Sequence, residues 1–191
     1  MKSLQLENCD LHFLPADLQF DEGYTTHLQQ QGIACYYRPW TKSVFGWLKQ
    51  NAMQFDIIIV SRVSLMSTVY DTLRTAAPAA KLIFDTVDLH YLRTERQAAL
   101  TNDAEIADDA ARTKESELAL IDGADVSILL SEFERELVAK ECPQAATAVL
   151  PLIRDIPGRA AGFRDRRHVV FIGSFNHPPN IDAVRWLVDE I

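Results

Sequence analysis

Apolar and polar positions alternate along this chain in two rhythms. Short apolar runs occur at 11–14, 33–37, 57–60, 81–85, 126–130, 148–150 and 169–172. Runs of this length, bounded by polar or glycine-bearing turns, are the pattern of strands buried in a parallel sheet. Between them, 24–31, 44–51, 65–76 and 131–140 repeat apolar residues at helical spacing. The stretch 91–122 predicts one or two longer helices, loosened near the acidic segment 102–109 and stopped by Gly123. Ser131 followed by Glu134 is a capping box, so the strand ending at Leu130 passes directly into a helix. Strand alternating with helix implies an α/β fold, a Rossmann-like parallel sheet flanked by helices and wound by right-handed crossovers.

The two ends of the pattern are unusual. At 169–172 an apolar run leads into Gly173, and Asn180 is placed to cap a helix whose Ile181, Val184, Leu187, Val188 and Ile191 form one stripe. That is the first strand and helix of a further Rossmann-like unit. The texture before it differs, with two prolines, two glycines and five arginines within 151–167. The expected organisation is therefore a Rossmann-like domain over 1–150, an interdomain linker over 151–167, and the start of a second domain over 168–191. A doubly wound sheet builds outward from a central first strand followed by a glycine turn. Here Met1 lies only a few residues before what behaves as the second strand, so the expectation is a sheet lacking its central strand and a chain truncated at both ends.

Composition narrows the class. With 48% hydrophobic and 24% charged residues the chain is expected to be globular and soluble rather than disordered. No apolar stretch approaches the roughly 20 residues that span a bilayer, and no secretory signal opens the chain, so a cytoplasmic location is expected. The three cysteines, Cys9, Cys35 and Cys142, share no metal-type spacing and read as buried reduced thiols. A net charge of -8 argues against nucleic acid as a partner. The local exception is Arg154, Arg159, Arg164, Arg166 and Arg167. A solvated hinge explains them best; a donor diphosphate, or an anionic membrane contacted peripherally at its inner face, is the sharper alternative.

Ligands of parallel α/β sheets sit beyond the carboxyl ends of the strands. The residues there are Ser61 and Arg62, then 85–90, Ser131 and Glu132, and 173–180. His90 and Asp88 are candidates to orient or deprotonate a hydroxyl, since imidazole and carboxylate are the usual proton acceptors near neutral pH. Asp88 as a helix cap and Asp85 as a partner for backbone groups are the structural alternatives. Arg62 suits a phosphate or a sugar carboxylate, or equally a salt bridge to Asp85 or Asp88. Arg93 and Arg96 are expected on a solvated helix face. Gly173 and Ser174 offer donors to a phosphate at a loop-to-helix junction, although Asp182 in the first helical turn opposes an anion there. His177 is either a polar group facing a cleft or part of the turn. No metal set is expected.

Three segments, FDTVDLHYLR at 84–93, ESELALIDGADVSILLSEFE at 115–134 and FIGSFNHPPNIDAVRWLVDEI at 171–191, resemble the retaining glycosyltransferases of the group 1 type, which have the GT-B architecture. The resemblance covers roughly residues 55–191, and the last segment is the most specific. It implies two Rossmann-like domains facing a cleft, the first taking a glycan or lipid-linked acceptor and the second a nucleotide-sugar donor. Transfer in such families retains anomeric configuration and needs no cofactor, usually without a metal. Gly173, Ser174, His177 and Asn180 fall on the donor side, and His90, Asp88, Arg62 and Asp85 on the acceptor side. Bacterial surface polysaccharide or glycolipid assembly is the implied setting. The opening strand, its glycine loop and the donor-binding basic and glutamate residues have no counterpart here, so this chain alone is expected to be catalytically silent. A non-catalytic α/β binding or scaffolding module is the alternative. A flavodoxin-like receiver fits less well, because Ser61 with Arg62 and then Ser131 stand where a receiver needs an aspartate and a lysine.

Overall fold

The structure, a computed structural model, describes residues 9–191 apart from 102, 153–157, 160 and 177. Arg154 and His177 therefore lie outside the described residues. Two parallel sheets form. In the first, β1 (His12–Phe13) pairs with β2 (Ala34–Cys35), with α1 (Tyr24–Gln30) between them. In the second, β3 (Ile57–Ser61), β4 (Lys81–Asp85), β5 (Val126–Leu129) and β6 (Thr147–Val149) lie side by side in that order. The connecting helices are α2 (Val44–Asn51), α3 (Val63–Ala76), α4 (His90–Thr101), α5 (Ala104–Gly123) and α6 (Glu132–Glu141), and α7 (Pro178–Asp189) ends the chain.

Local chemistry sets these boundaries. Ser43 accepts the Gly46 amide at 3.2 Å and starts α2. Asp103 accepts the amides of Glu105 and Ile106, so the acidic stretch is where one helix stops and α5 begins. Ser131 caps α6 through the Glu134 amide, and Glu134 reaches back to the Leu130 amide at 2.9 Å. At the far end of α5, Gly123 is required by a close approach: a Cβ there would stand 2.5 Å from the Tyr70 hydroxyl, which donates to the Gly123 carbonyl. Beside it Asp125 accepts from the Leu82 amide, Arg74 and Lys81, which together hold its carboxyl far below the usual range. This network ties the amino-terminal edge of the sheet.

Strands β3 to β6 always step in one direction, so right-handed crossovers bring α3, α5 and α6 to the same face. There Val60, Leu82, Phe84 and Leu129 pack with Met66, Val69 and Leu73 of α3, Leu120 and Ile121 of α5, and Val138 of α6. The other face is more open, with Ile57 55% and Ile59 46% exposed, against the expectation of strands covered on both sides.

Among the described residues the two sheets are not joined: β1 pairs only with β2, and β3 pairs only with β4, although the His12 ring lies 4.9 Å from that of Phe55, just before β3. The ladder between β3 and β4 is bracketed by the bonds Lys81 N–H to the Asp56 carbonyl and Arg62 N–H to the Asp85 carbonyl. By the alternation of a parallel pair, the amides of Ile57, Ile59 and Ser61 point away from β4. Hydrogen exchange on this chain is therefore expected to find those three amides fast and those of Ile58 and Val60 slow. Equal protection of both sets would mean that another strand covers this edge.

The run 169–172 does not form the expected strand. Val169, Val170 and Ile172 are 80%, 76% and 92% exposed, and the run lies outside both sheets. An apolar run favours extended backbone, but a strand exists only beside a partner that takes its N–H and C=O groups, and none lies there among the described residues. The helix that follows does form, and it starts at Pro178 rather than after Asn180, since proline is at home in the first turn.

Candidate functional site

The carboxyl ends of β3 and β4 carry the most unusual backbone of the four-stranded sheet. Arg62, the first residue beyond β3, has φ 77°, and Val87, two beyond β4, has φ 67°. Neither is glycine, and for a β-branched residue a left-handed φ is a true outlier. Each is held by bonds to Asp85: the Arg62 amide donates to the Asp85 carbonyl at 2.9 Å, and the Val87 amide donates to the carboxylate at 3.2 Å. The second carboxylate oxygen of Asp85 accepts the Ser61 hydroxyl at 2.9 Å, while Thr86 anchors the turn on the Ile128 carbonyl. Both oxygens of Asp85 thus brace two strained turns. Strain that the surroundings over-determine in this way collects at binding and catalytic sites.

Asp88 is not the cap that its place before α4 suggests. It takes Arg93 in an ion pair at 3.0 Å, and a second guanidinium nitrogen of Arg93 lies within 2.8 Å of both imidazole nitrogens of His90. Arg93 is therefore half-buried in the cluster, not on a solvated face; Arg96 is exposed as expected. Burial, then the charge of Arg93, lowers the His90 pKa, and the charge of Arg62 adds to this. His90 is held as neutral imidazole near neutral pH, with the Arg93 guanidinium against its ring nitrogens. Arg62 is exposed, and neither Asp85 nor Asp88 pairs with it, because one faces Ser61 and Val87 and the other faces Arg93. The result is a cationic tip beside a neutral base.

The first turn of α4 is capped instead by Glu117 of α5, whose Oε2 accepts the Tyr91 amide at 3.0 Å. This residue was not among the sequence candidates. Its signal was there: it occupies a position of the α5 stripe between Ala110 and Leu120, where an apolar side chain is expected. A second group the pattern did not mark is the set of rings beyond the carboxyl ends of β1 and β2, where Tyr37 meets Phe20 at 5.1 Å and Trp40 at 5.4 Å. Trp40 is 77% exposed above a hollow of about 210 Å³ lined by Cys35, Tyr36, Tyr37 and Thr41.

The donor-side residues gather into a local loop. Asn180 donates to the Ser174 carbonyl at 2.9 Å, and the Ser174 hydroxyl accepts the Asn176 amide at 3.3 Å. Asn180 lies within α7 and folds back rather than capping it. Gly173 has no left-handed φ; a Cβ there would meet the Asn180 amide at 2.7 Å, so that side chain would have to shift. All three residues belong to an exposed segment, and none is brought to the His90 cluster among the described contacts.

The remaining candidates are quiet. Among the described residues no group of three or more His, Cys, Asp or Glu could hold a metal, and no helix is long and apolar enough to cross a membrane. Cys9 is exposed rather than buried, and burial raises the Cys35 and Cys142 thiols above their ordinary pKa. A hollow of about 630 Å³ between α4 and α5 is lined mainly by alanines and shares no residue with the cluster. Comparisons with protein-family models, with curated proteins and with solved structures find no match to this chain.

Proposed function

We propose that this chain is the acceptor-side part of a retaining glycosyltransferase of GT-B architecture, transferring sugar from a nucleotide-sugar donor to a glycan or lipid-linked acceptor. The observation that carries the reading is the gathering of Arg62, Asp88, His90 and Arg93 at one carboxyl edge of a parallel sheet, where Arg62 and Val87 are both left-handed. Glycosyl transfer needs a hydroxyl that is oriented and relieved of its proton as its oxygen bonds to the anomeric carbon and the diphosphate departs. His90, kept neutral, suits that hydroxyl. Arg62 suits a phosphate on a lipid-linked acceptor, and the open rings of Tyr37 and Trp40 offer apolar faces to a sugar. Bacterial surface polysaccharide or glycolipid assembly, at the inner face of the membrane, is the setting this chemistry fits.

The test uses the 191-residue chain. Adding a short-chain polyprenyl diphosphate sugar is expected to shift the amide resonances of Arg62, Asp88 and His90, and the R62A variant is expected to lose the shift. Calorimetric titration with uridine and guanosine diphosphate sugars is expected to show no tight binding. Resonances that stay still with the acceptor, or tight binding of either donor by this chain, would sink the assignment.

A further inference from the structure

Glu117 is fully buried and carries a carboxylate into the packed core between α4 and α5. Oε2 accepts the Tyr91 amide, the second of α4, and Oε1 is buried with no hydrogen-bond partner among the described residues. The first amides of a helix have no partner inside it, so a carboxylate there does the work of an N-cap, here delivered from another helix. The turn it holds begins with His90 and continues to Arg93.

The groups around this carboxyl come from every packed element. Asp88 lies before α4, His90, Tyr91 and Arg93 belong to α4, and Glu95, Glu141 and Cys142 act on the Tyr91 side. Lys114, one turn earlier on α5, covers the Tyr91 ring and pairs with Glu141 of α6 at 2.7 Å. Burial, reinforced by Asp88, pushes the Glu117 carboxyl up to about 7, against the opposing pull of the Tyr91 and His90 amides and of Arg93. A charged acceptor binds an amide more strongly than a neutral one. Loss or gain of this proton therefore changes the grip on α4.

We propose that Glu117 is the positioning residue of the Asp88–His90–Arg93 cluster, its carboxylate anchoring the first turn of α4 and its protonation loosening that anchor, so that the cluster answers to pH. The proposal rests on reading the cluster as acceptor-side machinery, but its test needs no sugar. In labelled full-length chain taken from pH 5 to 9, the Glu117 carboxyl, the Tyr91 amide and the His90 ring are expected to share an inflection. In E117Q the Tyr91 and His90 inflections at that pH are expected to vanish, leaving His90 with its own titration alone. E117D, one methylene short of the Tyr91 amide, is expected not to restore them. A Glu117 carboxyl that keeps one charge state throughout, a Tyr91 amide indifferent to it, or a His90 ring unchanged in E117Q would overturn the proposal. Should E117Q fail to fold, the three signals in the unsubstituted chain decide it.

Discussion

Raising the pH from 5 to 7.5 is expected to cost this protein roughly 2 kcal/mol of stability through Glu117 alone. An ordinary glutamate titrates near 4.5, and burial lifts this one to about 7. Between those values the unfolded chain has released the proton while the folded chain still holds it. The folded state then binds more protons, so stability falls as pH rises, and the full contribution is present only below about pH 4.5. His90 works in the opposite direction. Its folded pKa is lowered, so the unfolded state binds the proton first and stability rises with pH up to its ordinary value near 6.5. Asp125, with a lowered pKa, matters only below the ordinary aspartate range. The clean measurement is therefore a difference: urea unfolding of the unsubstituted chain and of E117Q across this range. E117Q keeps an acceptor for the Tyr91 amide but has no proton to lose, and its stability is expected to lack the fall. Parallel curves for the two proteins would show that Glu117 is not the titrating group.

The pattern of the chain announced some of this structure and concealed the rest for identifiable reasons. The runs at 57–60, 81–85 and 126–130 match β3, β4 and β5 to within a residue, although the expected cover on both faces is missing, since Ile57 and Ile59 stand exposed. The run at 169–172 is just as apolar and forms no strand, because a ladder is a property of two segments and composition reports only one. Gly173 was legible as a turn and Asn180 as a helix cap, but Asn180, seven residues later, folds back over the glycine instead. In the site, His90, Asp88 and Arg62 stand where strand ends were expected to place them. Arg93 and Glu117 were not foreseen: one reads as a surface charge and the other as a flaw in a stripe until α4 and α5 are laid together. The backbone of Arg62 and Val87 was invisible altogether, since nothing in either residue type signals a positive φ.

That hidden strain leads to the second large effect, a gain in stability bought with function. Arg62 has φ 77° and ψ 139°, a region where glycine alone is comfortable, and such a position costs a non-glycine residue on the order of 1–3 kcal/mol. It is held there from both sides, its amide on the Asp85 carbonyl and its own carbonyl taken by the Met66 amide at 3.0 Å. The exposed guanidinium makes no ion pair with the neighbouring carboxylates, so nothing in the fold repays the strain through the side chain. Replacing Arg62 by glycine removes the strain and returns part of the gain to the freer unfolded chain, leaving R62G more stable by about 1 kcal/mol. On the proposed acceptor-side reading, the same change is expected to weaken acceptor-analogue binding at least tenfold, which needs a loss of only about 1.4 kcal/mol. R62K keeps the strain and a charge but not the planar fork, so it is expected to match the parent in stability and fall between the two in binding. Unfolding midpoints and acceptor titrations on the three proteins separate the possibilities. A less stable R62G would place the arginine in the scaffold, whereas a more stable and weaker-binding one ties the left-handed turn beyond β3 to holding a cation where the substrate must pass.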